Sequence, residues 1–159
     1  MKRLITLAHS PDPDDAFMWW PLIDVDGSGP SIDIGEYEFQ LITKDIEQLN
    51  VESERGNYDI TAMSIAHYPS VADQYVLTAC GASLGDGYGP KIVSSEKVEL
   101  NNLLANKPNF AVPGERTSAL AALRILADQR HFEWHSINFS EIMDEVKSKR
   151  FDRHEDKYS

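Results

Sequence analysis

The residues best suited to chemistry cluster where apolar runs break into polar turns. Leu4 to Ala8 is a short apolar run that stops at His9, Ser10, Pro11, Asp12, Pro13, Asp14 and Asp15, and Ala16 and Phe17 follow. In open α/β sheets, ligands bind beyond the carboxyl ends of strands, where loops and helix starts converge. Asp15 in such a place can orient a substrate hydroxyl. A plainer reading stands beside this one: Asp14 or Asp15 caps a helix while the prolines stiffen the turn. A second segment, Val112 to Ala119 through Pro113, Gly114, Thr117 and Ser118, has the same strand-turn-helix layout. Its two adjacent hydroxyls, with the open N–H groups of a first helical turn, suit a carboxylate. Thr117 as an ordinary N-cap is the competing reading.

Other segments exclude chemistries. Gly81 to Pro90 holds four glycines, but it lacks the GxGxxG spacing and opens toward a strand with no helix to receive a pyrophosphate. Neither a Walker loop nor an HExxH pair is present, and Cys80 is alone, so neither a sulfur-rich zinc site nor a disulfide framework can be built. His9, His67, His131 and His135 show no metal-site spacing. Histidine is the commonest general base near neutral pH, which draws attention to His154-Glu155. That pair lies in the charged stretch Lys147 to Lys157, whose composition is that of a solvated tail. Trp19, Trp20 and Tyr88 can stack on an aromatic substrate, but large aromatics on a helix are usually core, and at least one of the two tryptophans is expected there.

The elements that must position these residues alternate between strand and helix. Arg3 to Ala8 reads as a buried strand, and Ala16 to about Ile23 as a helix whose Phe17, Met18, Trp19 and Trp20 require most of its surface to be covered. Tyr37, Phe39 and Leu41 alternate with Glu36, Glu38 and Gln40, the period of a half-wet strand. Asp45 opens a helix that Gly56 stops. Tyr58 to Met63 and Tyr75 to Ala79 read as strands, with a short helical turn from Ile65 between them. Beyond the glycines come a strand at Ile92 to Ser94, a helix at Leu100 to Ala105, a strand at Phe110 to Val112, a helix from Ser118 to about Gln129, a strand at Glu133 to Ile137 and a helix from Glu141 to about Ser148 capped by Ser140. This rhythm predicts an α/β sheet with crossover connections.

A chain of 159 residues, 42% hydrophobic and 26% charged, is globular in composition. Its net charge of −11 argues against nucleic acid and anionic membrane partners, since phosphate neutralisation needs clustered Lys and Arg. No apolar stretch approaches the roughly 20 residues that span a bilayer. Lys2 and Arg3 precede an apolar run too short for a signal-peptide core. A soluble, cytoplasmic protein is expected.

The order of these segments resembles the 1,4-dihydroxy-6-naphthoate synthase family of menaquinone synthesis. The resemblance rests on Ser10 to Phe17, Asp45 to Asn50, Asp59 to Ser64, Gly81 to Pro90 and Ala111 to Ser118, and it runs to about residue 150. It implies a type II periplasmic-binding-protein-like α/β fold, two lobes around a cleft, with the second lobe and the return to the first incomplete. The implied divisions are 1–85 for the first lobe, 86–92 for a hinge, 93–150 for a partial second lobe and 151–159 for an aberrant or truncated tail. In the family an apolar strand separates the acidic residue matching Asp152 from the histidine; only Arg153 does so here. The implied activity is a cofactor-independent lyase of the futalosine route that converts cyclic dehypoxanthinyl futalosine to 1,4-dihydroxy-6-naphthoate. By the same resemblance Asp15, Asn50, Ser64, Thr117, Ser118 and Glu155 bind substrate and His154 is the general base. The implied partner is a small carboxylate, with a homodimer left open. The alternatives are a non-catalytic small-carboxylate binding protein of the same fold, a sister enzyme acting on chorismate, and an inactive fragment.

Overall fold

The computed structural model describes residues 2–148. The chain divides into two compact units between Tyr88 and Gly89, inside the glycine-rich segment. Each unit is α/β, with a small parallel sheet.

In the first unit, strand β1 (Arg3–His9) lies between β2 (Tyr37–Thr43) and β3 (Ile60–Thr61), giving the order β2-β1-β3. β1 pairs with β2 over its whole length, from Arg3 opposite Tyr37 to His9 opposite Thr43, and with β3 through Leu7–Ile60 and Ala8–Thr61. Burial deepens along β1 until Leu7 and Ala8 join Leu49 and Val71 in the core. Helix α1 (Pro13–Trp19) connects β1 to β2, and α2 (Ile46–Ser53) connects β2 to β3. Asp45 caps α2 by accepting the Glu47 N–H at 2.9 Å. At the far end Gly56, at φ 63°, turns the chain while its N–H bonds the Ser53 carbonyl at 3.0 Å.

Several expectations for this unit are corrected. The first helix begins at Pro13 and ends at Trp19, where a 3-10 turn (Trp20–Leu22) takes over. Pro21 has no N–H with which to extend the α-helical ladder. Neither Asp14 nor Asp15 is the cap: Asp12 holds that position without a side-chain bond, and Asp15 lies inside the helix. The helix surface is not covered as its sequence suggests, since Phe17 is 84% exposed. The strand expected over Tyr58 to Met63 shrinks to Ile60–Thr61, and Tyr75 to Ala79 forms no strand. The helical turn expected from Ile65 is a 3-10 turn at Tyr68–Ser70.

In the second unit, α3 (Leu100–Ala105) precedes β4 (Asn109–Val112), α4 (Ser118–Ala127), β5 (Glu133–Ser136) and α5 (Ile142–Ser148). β4 and β5 run parallel, from Asn109 opposite Glu133 to Val112 opposite Ser136. Val112, Leu120 and Leu123 form the core here, with Phe110, Phe132 and Trp134 packed on them. Phe110 and Phe132 meet edge to face with ring centres 5.6 Å apart. α4 stops two residues short of Gln129 because Asp128 and Gln129 both take positive φ, 45° and 63°. Ser140 is not the last cap: Asn138 accepts its N–H and its hydroxyl, closing a 3-10 turn (Phe139–Glu141) ahead of α5. Ile92 to Ser94, expected as a strand, is irregular and exposed.

Candidate functional site

All three strands of the first sheet point the same way, so their carboxyl ends share one edge. His9 and Thr43 end β1 and β2 side by side, and Ser64 lies three residues past the end of β3. The chain leaving β1 turns at Ser10, whose N–H donates to an Asp15 carboxylate oxygen at 2.8 Å while its hydroxyl accepts the Asp12 N–H at 3.3 Å. Asp15 is buried, so a turn and the first turn of α1 are tied together by a charge-assisted bond.

Asn50 is fully buried in α2 and is bonded twice to Ser64. Its Nδ2 donates to Ser64 Oγ at 3.1 Å, and its Oδ1 accepts the Ser64 N–H at 2.9 Å. The amide is therefore spent on orienting the loop after β3, and Ser64, half-buried, presents the hydroxyl. Ser53 Oγ bonds the Asn50 carbonyl at 2.7 Å, bracing the helix beneath the pair.

Acidic groups crowd the turn. Partial burial first, and repulsion by Asp14 next, raise the Asp12 carboxyl above its ordinary value. Lys44, just past β2, is already matched: it donates to both Glu52 carboxylate oxygens at 2.7 and 2.9 Å, and the Tyr58 hydroxyl donates to the same carboxylate. These bonds hold the Lys44 ammonium above its usual range and the Glu52 carboxyl below it.

In the second unit, Thr117 is buried and its hydroxyl both accepts and donates. It accepts the Leu120 N–H at 3.3 Å as the cap of α4 and donates to the Gly114 carbonyl at 2.8 Å. Ser118 starts the helix beside it, half-buried. Neither residue lines the apolar cavity of about 610 Å³ in this unit that is walled by Val93, Phe110, Leu123, Leu126 and Met143. Among the described residues no group of three or more His, Cys, Asp and Glu gathers to hold a metal, and no helix is long and apolar enough to cross a membrane. His154 and Glu155 lie outside the described residues.

Three residues at the carboxyl edge of the first sheet carry no individual role in the reading by motif. His9 is buried with its ring 4.8 Å from that of Trp19, Ser10 is buried at the centre of the turn, and Thr43 Oγ1 sits 3.2 Å from His9 Nε2. The available signal was position: His9 is the last residue of a strand that ends in a polar turn. Trp19, of the two tryptophans, is the one partly buried, whereas Trp20 is 53% exposed.

A solved crystal structure of a protein from Archaeoglobus fulgidus is 31% identical and superposes with a TM-score of 0.75, covering 92% of this chain and 50% of that one. The chain is 32% identical over 126 residues to 1,4-dihydroxy-6-naphtoate synthase of Streptomyces coelicolor, a match over 77% of this chain and 40% of the synthase. It thus spans half or less of the length of these two relatives. A family model described as menaquinone biosynthesis matches residues 5–154, nearly the whole chain, and the chain belongs to that family.

Proposed function

We propose that this chain contributes to a carbon–carbon lyase that converts cyclic dehypoxanthinyl futalosine to 1,4-dihydroxy-6-naphthoate in the cytoplasm, without a cofactor. The frame of the whole enzyme in this reading is the type II periplasmic-binding-protein fold, with a hinge at 86–92. The observation that supports it most is the gathering of the Ser10–Asp15 turn and the Asn50–Ser64 pair at the carboxyl edge of one parallel sheet. Those residues fall in the segments that carry the family resemblance.

Asp15 orients a substrate hydroxyl, Ser64 donates or accepts one hydrogen bond, and Asn50 holds Ser64 in place. The substrate carboxylate is assigned to the start of α4, at Ser118 and the first-turn N–H groups, with Thr117 fixing that turn through its two bonds. An acidic turn would repel it, and Lys44 is committed to Glu52. His154 acts as general base with Glu155 beside it. Incubation with the cyclic futalosine substrate and chromatographic detection of the naphthoate tests the reading. Calorimetric binding with no product would favour a non-catalytic carboxylate binder instead.

A further inference from the structure

His9 ends β1, yet it is only 7% exposed, and both of its ring nitrogens face a polar partner. Nδ1 lies 2.7 Å from the Ser10 carbonyl oxygen. A carbonyl only accepts, so Nδ1 carries the proton. Nε2 faces Thr43 Oγ1 at 3.2 Å, and Trp19 covers the ring at a 37° tilt. The two peptide groups flanking the Ser10 α-carbon are thus gripped in turn: the N–H by Asp15 at 2.8 Å and the C=O by His9 at 2.7 Å.

We propose that His9 is a positioning residue for Asp15: its Nδ1–H fixes the Ser10 turn whose N–H in turn fixes the Asp15 carboxylate. The catalytic importance of that carboxylate rests on the function proposed above; the positioning itself does not. Packing alone does not explain the imidazole, because an apolar ring would fill the space against Trp19 equally well and leave the Ser10 carbonyl without its donor. Thr43 serves the second nitrogen.

The test uses the full chain with three substitutions. In His9→Asn the amide nitrogen takes the place of Nδ1 and retains the bond; in His9→Gln it reaches the Nε2 position and loses it; Thr43→Val leaves the Nδ1 bond alone. Losing one such bond is expected to speed hydrogen exchange of the Ser10 amide about tenfold in His9→Gln, with Leu7 and Ala8 unchanged and His9→Asn and Thr43→Val near wild type. On the cyclic substrate, kcat should fall about tenfold in His9→Gln with KM within about twofold, and recover in His9→Asn. Unchanged Ser10 exchange in His9→Gln, equal acceleration throughout β1, or acceleration in Thr43→Val would overturn the positioning role. If the wild type fails to turn over, the proposed activity falls while the exchange result still decides His9.

Discussion

Asn50 and Ser64 hold each other through two hydrogen bonds, 3.1 Å from Asn50 Nδ2 to Ser64 Oγ and 2.9 Å from the Ser64 N–H to Asn50 Oδ1. One of the two reaches the backbone, so the side chain of a buried helix residue dictates the path of a loop 14 positions later.

The pair should respond unequally to truncation. Asn50→Ala removes both bonds and strands the Ser64 N–H, whereas Ser64→Ala removes one and strands the buried Asn50 Nδ2; each stranded donor costs about 1–3 kcal/mol, so Asn50→Ala is expected to lose more by roughly the second bond, about 0.5–1.5 kcal/mol. Urea denaturation of both variants measures the order; a larger loss in Ser64→Ala would contradict it.

Asp15 is expected to matter to the fold as well as to the site. Asp15→Ala removes a charged acceptor from the buried Ser10 N–H, a loss of about 1.5–3 kcal/mol, while Asp15→Asn keeps an acceptor and loses less. Equal midpoints for the two variants in thermal unfolding would count against the bond.

Two carboxyls should titrate in opposite directions. Asp59 accepts the Thr6 N–H at 2.9 Å and the Thr6 hydroxyl at 2.8 Å, which lowers it from 3.8. Because its folded pKa is depressed, its contribution to stability is complete above the unfolded value and disappears as pH falls through the folded one. Asp12 is raised from 3.8 by burial and Asp14, so its contribution is complete below the unfolded value and is lost as pH rises through the folded one. Carboxyl NMR titration should find Asp12 above Asp59.

Thr117 offers a test at the start of α4. Thr117→Ala deletes the cap and the bond to Gly114 and should cost about 0.5–2 kcal/mol, with Thr117→Ser retaining most of the stability. Thermal unfolding of the pair separates hydroxyl from methyl.

Local rules made much of the fold legible. The alternation Tyr37, Phe39, Leu41 marks β2, and Asp45 and Thr117 cap the helices they open. What failed depends on distant partners. Tyr75 to Ala79 and Ile92 to Ser94 have strand-like composition, but a strand exists only beside another, and Val76 stands 86% exposed. Asn50 and Ser64 came from family resemblance, since nothing in their spacing announces a pair. His9 has no local signal of its role, because its partner Thr43 is brought near only by the register of β1 on β2, which no local pattern encodes. Asp15 stands in a turn that its prolines and aspartates make legible, but its bond runs back to the Ser10 N–H instead of capping the helix.

Turnover of cyclic dehypoxanthinyl futalosine, compared between the protein and its Ser64→Ala variant, tests the account most directly. The expected result is 1,4-dihydroxy-6-naphthoate from the first and about tenfold less from the second, the loss of one positioning hydrogen bond in the transition state. No naphthoate from folded wild-type protein, or equal rates from both, would contradict it.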